Sequence, residues 1–124
     1  MTLRCVIVDD SPDLLRGASR LLEGQGVAVV GVAENSQQAR VLIAKLQPDV
    51  ALVDIVLGPE SGFDLVRVIA NAPESAGSHT ILMSTRDEAD FLDLIATSPA
   101  IGFLGKSELS ASAIHRLLDR TRDR

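Results

Sequence analysis

The sequence predicts an α/β fold: a doubly wound, five-stranded parallel sheet covered by helices. Two observations predict it. Short apolar runs rich in β-branched residues alternate with amphipathic segments of helical period, the pattern of successive βαβ units. Those runs lack the polar alternation of a half-solvated strand, so both faces of the sheet must be covered. The length, 124 residues, is that of one ordinary domain, so residues 1–124 are read as one unit.

The first strand is expected over residues 3–9, with Val6-Ile7-Val8 at its centre. Ser11-Pro12-Asp13 then supplies an N-cap, a proline at the first helical position and an acid in the first turn. Leu14, Leu15, Ala18, Leu21 and Leu22 follow at helical spacing, and Gly24 or Gly26 ends that helix. A second strand spans residues 27–32. Ser36 opens a helix whose apolar face is Ala39, Leu42, Ile43 and Leu46, stopped by Pro48. The third strand, residues 50–54, ends in Asp54. A turn through Gly58 and Gly62 leads into a helix bearing Phe63, Val66 and Ile69. After a polar loop at 73–78, residues 80–84 form strand four, and Asp87 to Ala96 reads as one helix with acids massed at its start. Residues 101–104 are strand five. A last helix begins near Ser107 or Ser110 and carries Ile114, Leu117 and Leu118.

Composition narrows the function. At 46% hydrophobic residues the chain fills a normal core without a disulfide or metal staple. The single cysteine, Cys5, lies in an apolar run and fits a reducing compartment. No stretch approaches a membrane span, and the first apolar run is too short for a signal peptide, so a cytoplasmic protein is expected. A net charge of −5 with 2% aromatics argues against direct nucleic-acid binding.

In open α/β sheets, ligands bind beyond the C-terminal ends of the strands. Strand one is followed by Asp9-Asp10, strand two by Glu34-Asn35, strand three ends in Asp54, strand four in Ser84, and strand five leads to Lys106. Singly, each has an ordinary reading. Asp10 caps a helix, Asp54 forms a turn, Ser84-Thr85 cap the next helix, and Lys106 is a solvated charge. Together they gather acids, a hydroxyl and an ammonium on one edge. Two adjacent carboxylates cost about 1 kcal/mol at ~4 Å even in bulk water, and a hard cation such as Mg²⁺ turns that repulsion into attraction. Such a site suits phosphoryl transfer, with a carboxylate as nucleophile.

At this point the chain resembles the receiver domain of two-component response regulators. The resemblance rests on Val6-Ile7-Val8-Asp9-Asp10-Ser11, Pro48-Asp49-Val50-Ala51-Leu52-Val53-Asp54-Ile55, Ile81-Leu82-Met83-Ser84 and Gly102-Phe103-Leu104-Gly105-Lys106. It implies a flavodoxin-like (βα)5 fold with strand order 2-1-3-4-5. It also implies that Asp54 is the phosphoacceptor, and that Asp9, Asp10, Asp54 and the Val56 carbonyl hold Mg²⁺. Ser84 and Lys106 would each bind a phosphoryl oxygen, and Phe103 matches the aromatic switch position, beside its plain reading as core. The implied partners are a sensor histidine kinase or phosphotransfer protein and a downstream protein target, with dimerisation through the face from helix 4 to helix 5.

The chain departs from the family at Leu57-Gly58, where Met-Pro is common, at Thr85, where a small residue is usual, and at Ser107, where proline follows the lysine through a cis bond. A non-proline cis bond costs about 2.5–4 kcal/mol, so a trans or strained Lys106–Ser107 bond is expected. These departures leave a pseudo-receiver, binding without phosphorylation, as the second reading. An enzyme is not expected. Gly24-Gln25-Gly26 completes no dinucleotide fingerprint, and a phosphohydrolase using Asp9 would lack a cap domain. His79 and His115 read as surface residues. With no helix-turn-helix in view, a stand-alone receiver is expected, the alternative being the receiver portion of a DNA-binding transcriptional regulator.

Overall fold

In the computed structural model, which describes residues 2–75 and 77–122, the expected alternation is realised. The sheet strands are β1 (Arg4–Val8), β2 (Ala28–Ala33), β3 (Val50–Asp54), β4 (His79–Ser84) and β5 (Gly102–Gly105). They pair in the order β2-β1-β3-β4-β5, every neighbour parallel. The helices are α1 (Pro12–Gly24), α2 (Ser36–Leu46), α3 (Gly62–Asn71), α4 (Leu92–Ala96) and α5 (Ala111–Arg122). This is the flavodoxin-like order that the resemblance implied.

The two-residue period of the strands divides the core. Cys5, Ile7, Val50, Leu52, Ile81 and Met83 face one side, where Leu15, Leu22, Ile114 and Leu118 of α1 and α5 cover them. Val6, Val8, Ala51, Val53 and Leu82 face the other, beneath Ala39 and Ile43 of α2 and Phe63, Val66 and Ile69 of α3. Because side chains alternate so strictly, the central strands are buried on both faces, as their apolar sequences require.

The caps follow local chemistry. Ser11 Oγ accepts from Leu14 N at α1, Asn35 Oδ1 from Gln38 N at α2, and Ser61 Oγ from Asp64 N at α3. The expected single helix over 87–96 is corrected: a 3-10 turn covers Glu88–Phe91 before the short α4. Phe91 sits at φ −132°, ψ 18°, outside the helical region, with its ring 6.1 Å from that of Phe63 and under the Arg86 guanidinium. Tertiary packing of one ring thus overrides a helical sequence pattern. Of the two expected starts of the last helix the structure takes Ser110: α5 opens at Ala111, with Ser110 Oγ accepting from Ala113 N, after a 3-10 turn at Lys106–Glu108.

Between β3 and α3 the chain makes a short antiparallel ribbon, Val56–Leu57 against Glu60–Ser61. Gly58 at its tip has a φ of 61°, the sign a tight hairpin asks of its first central residue. Gly62 returns the chain: its amide donates to Ile55 O at 2.7 Å. A Cβ at Gly62 would lie 2.0 Å from Asp54 O. Since both groups are backbone, neither can yield, and Gly62→Ala is expected to cost about 3 kcal/mol, the upper end of the usual overpacking range. Urea unfolding tests this; a midpoint equal to that of the parent would contradict it.

Candidate functional site

The parallel topology brings the C-terminal ends of β1, β3, β4 and β5 to one edge. Val8 pairs with Val53, so Asp9 and Asp54 emerge side by side, and Asp54 pairs with Met83 just before Ser84. Ser84 in turn pairs with Gly105, the residue before Lys106. Asp9, Asp54 and Ser84 are buried, whereas Asp10 is exposed. Asp9, Asp10 and Asp54 each present a carboxylate oxygen, and these oxygens lie within 4.8 Å of one another.

Lys106 joins two of these acids. Its Nζ donates to Asp54 Oδ2 at 3.0 Å and lies 2.7 Å from Asp9 Oδ2. The second contact has the distance of an ion pair but not the angles of a hydrogen bond, so Asp9 Oδ2 is a fully buried oxygen without a hydrogen-bond donor. The other oxygen of Asp9 accepts from Ser11 N at 2.9 Å, and Asp54 Oδ1 accepts from Val56 N at 3.2 Å. Burial pushes the Asp54 carboxyl above its usual range, against the hydrogen bonds from Lys106 and Val56. Burial alone would lower the Lys106 ammonium; Asp9 and Asp54 outweigh it and hold the amine more firmly protonated than usual. One ammonium is therefore shared by two buried carboxylates, with a third beside them.

Asp10 does not cap α1, because Ser11 does. Ser84 Oγ accepts from Arg86 N at 3.0 Å, a local turn, while the N-cap position of the following 3-10 turn is Asp87. That bond uses the hydroxyl oxygen as acceptor and leaves its proton for donation. Phe103, half-buried, lines a cleft with Ser84, Thr85, Arg86 and Lys106 and packs against the α2–α3 side of the core. Thr85 and Val56 are exposed, as are His79 and His115. The Lys106–Ser107 bond is trans. Asn35 caps α2, so Glu34-Asn35 adds nothing to the acidic edge. Cys5 is inert: burial pushes its thiol up to about 12.

Fold and edge together are those of a receiver, and the comparisons with known proteins agree. The chain belongs to the response regulator receiver domain family, which matches residues 5–119. It is similar to protein PilH of Pseudomonas aeruginosa, 34% identical over 85 residues that span 68% of this chain and 69% of PilH. It is similar also to the heme response regulator HssR of Staphylococcus saprophyticus, 30% identical over 83 residues, but spans only 35% of that protein. Among solved structures, the signal receiver domain of the putative response regulator NarL from Mycobacterium tuberculosis superposes with a TM-score of 0.80. The two are 28% identical, with 99% of this chain and 98% of that one covered. Among the described residues no helix is long and apolar enough to cross a membrane.

The shared lysine yields a stability prediction. Replacing Lys106 by Met leaves Asp9 and Asp54 uncompensated, which is expected to cost about 3 kcal/mol at pH 7, the lower end for breaking a buried pair. The folded state binds the Asp54 proton more tightly than the unfolded chain does. Stability therefore falls as pH rises from the unfolded carboxylate range through the folded value. Loss of the lysine raises that folded value further, so the variant's deficit should grow with pH and shrink in acid. Denaturant unfolding from pH 3.5 to 8 measures this; a deficit independent of pH would refute it.

Proposed function

We propose that this chain is a phosphorylation-dependent signalling switch, a single receiver domain over residues 1–124 acting in a two-component phosphorelay. The observation that carries the reading is the buried pairing of Asp9 and Asp54 through Lys106, with the carboxylate of Asp10 alongside. Asp54 is the phosphoacceptor. Its carboxylate oxygen attacks the phosphorus of a phosphohistidine on a sensor histidine kinase or phosphotransfer protein, the phosphorus–nitrogen bond breaks, and the imidazole leaves.

The residues present fit a hard divalent ion: all three side chains offer oxygen, and Asp9 Oδ2 is buried without a donor. Asp9, Asp10, Asp54 and the Val56 carbonyl would hold Mg²⁺, which when bound supplies charge neutralisation to the transferring phosphoryl group. Lys106 turns its ammonium to one phosphoryl oxygen. Ser84 donates its free hydroxyl proton to another, and this draws the end of β4 toward the site. Phe103, in the same cleft, is placed to change rotamer in response. The remodelled surface runs from α4 to α5, and there a downstream protein target or a second receiver docks. The chain assists its own phosphorylation and dephosphorylation rather than turning over a separate substrate. A cytoplasmic location without direct nucleic-acid or membrane contact fits its charge and its reduced Cys5.

One observation favours a second setting for the same switch. The chain spans 50% of a putative transcriptional regulator of Pseudomonas aeruginosa and 30% of the DNA-binding response regulator MtrA of Mycolicibacterium smegmatis. The receiver portion of a DNA-binding regulator would carry the same chemistry.

Intact-mass measurement after incubation with acetyl phosphate should find one added phosphoryl group, dependent on Mg²⁺ and absent in Asp54→Asn. A folded protein that takes up no phosphate from acetyl phosphate or from a phosphohistidine donor would favour the pseudo-receiver instead. Mg²⁺ at 100 times its dissociation constant should also raise folding stability by about 2.7 kcal/mol, read as a shift of the thermal midpoint that Asp9→Asn diminishes.

A further inference from the structure

Helix α2 has no acidic residue in its first turn; the nearest acid of its own segment, Glu34, lies outside the helix before the Asn35 cap. Its neighbouring amides are served by neutral groups: Gln38 N by Asn35 Oδ1, and Glu34 N by Gln38 Oε1, both at 2.9 Å. The amide of Ser36, the first helical residue, is served from another part of the chain. Glu60 Oε1 accepts from it at 3.0 Å. A carboxylate at that end of a helix meets both an orphan donor and a favourable dipole.

Glu60 belongs to the ribbon that follows Asp54, where it pairs with Leu57. The inner end of the ribbon is fixed by the Val56–Ser61 pairing and by Gly62 N on Ile55 O. Its tip passes over the acidic cluster, for a Cβ on Gly58 would lie 3.7 Å from Asp10 Oδ2. The tip consists of Gly58, in the left-handed region, and Pro59 at the second central position, carried on a ribbon of only two residue pairs. The bond from Glu60 to Ser36 ties its outer end to a helix packed on the core.

We propose that Glu60 is a positioning residue for the cation site: by latching the ribbon to the N-terminus of α2 it holds the Val56–Leu57 backbone against Asp10 and Asp54. This rests on the cation-binding reading above. A residue that merely capped α2 would affect helix stability but not cation affinity, and that difference separates the two roles.

The test is Mg²⁺ titration of the full chain by calorimetry, with thermal midpoints recorded in the absence of Mg²⁺. Glu60→Ala removes the acceptor. Ser36→Pro removes the donor from the other side, at the first helical position where proline is well tolerated, and after Asn35, whose ψ of 173° suits a residue before proline. Both are expected to weaken Mg²⁺ about two- to fivefold, the range of one charged contact at a helix end. Glu60→Gln, which keeps an acceptor oxygen, should recover most of the affinity. Folded variants that bind Mg²⁺ as the parent does would overturn the latch while leaving the cation site standing. A parent chain that binds no Mg²⁺ would remove the cation site itself, and the latch with it.

Discussion

The geometry of the functional edge depends on Lys106 reaching from the end of β5 to the ends of β1 and β3. Its ammonium is the only charge among the described residues that is paired with both Asp9 and Asp54. Without it the centre of the sheet would end in two buried carboxylates, each costly in isolation. With it those acids share a cation in their burial, but imperfectly so: Asp54 stays raised and Asp9 Oδ2 lacks a hydrogen-bond donor. The edge is held together by a pairing that leaves charge over. A fold selected for stability alone would place apolar or hydrogen-bonded groups here, because replacing buried ion pairs by hydrophobic residues often stabilises.

The rest of the fold explains how so poor an electrostatic arrangement is tolerated. Two separate apolar layers flank β1, β3 and β4, and every residue of β3 is buried. At about 25 cal/mol per Å² of apolar surface removed from water, such a core outweighs the strain of a few carboxylates. The layers also fix register, since a slip of one residue would send each strand's apolar set to the wrong face. Register in turn sets Asp54 level with Met83 and Gly105 level with Ser84, so the site is assembled by core packing rather than by its own attractions.

That division accounts for what could be read in the sequence. Asp9, Asp54 and Ser84 each close an apolar run, and Lys106 follows one shortly, so strand pattern and topology were enough to bring them to one edge. The cap at Ser11 and the start of α2 at Ser36 are local and equally legible, although the cap that Asn35 supplies to α2 was not read. The break in the helix at Phe91 was not, because it follows from a ring contact with Phe63, far away in the chain. The role of Gly62 was invisible for a similar reason: its constraint is the approach of the Asp54 carbonyl, a property of the folded backbone. The Glu60–Ser36 bond joins a turn to a helix start across 24 residues, with no periodicity to betray it.

Charge counting connects these features to the chemistry proposed. Three carboxylates and one ammonium sum to a charge of about −2 at the edge when all are ionised. A divalent cation would cancel that surplus. Phosphorylation of Asp54, as proposed, would add charge again, since a phosphoryl group carries about −1.5 to −2 at pH 7. That negative charge would face a group with little left to give, since Lys106 is already shared by Asp9 and Asp54. A nearby donor not committed to an acid is the Ser84 hydroxyl, whose oxygen accepts from Arg86 N and leaves its proton for donation. Electrostatic need thus falls on the residue at the end of β4, beside the Phe103 cleft. In the switch proposed, it is there that a local charge change would become a change of surface.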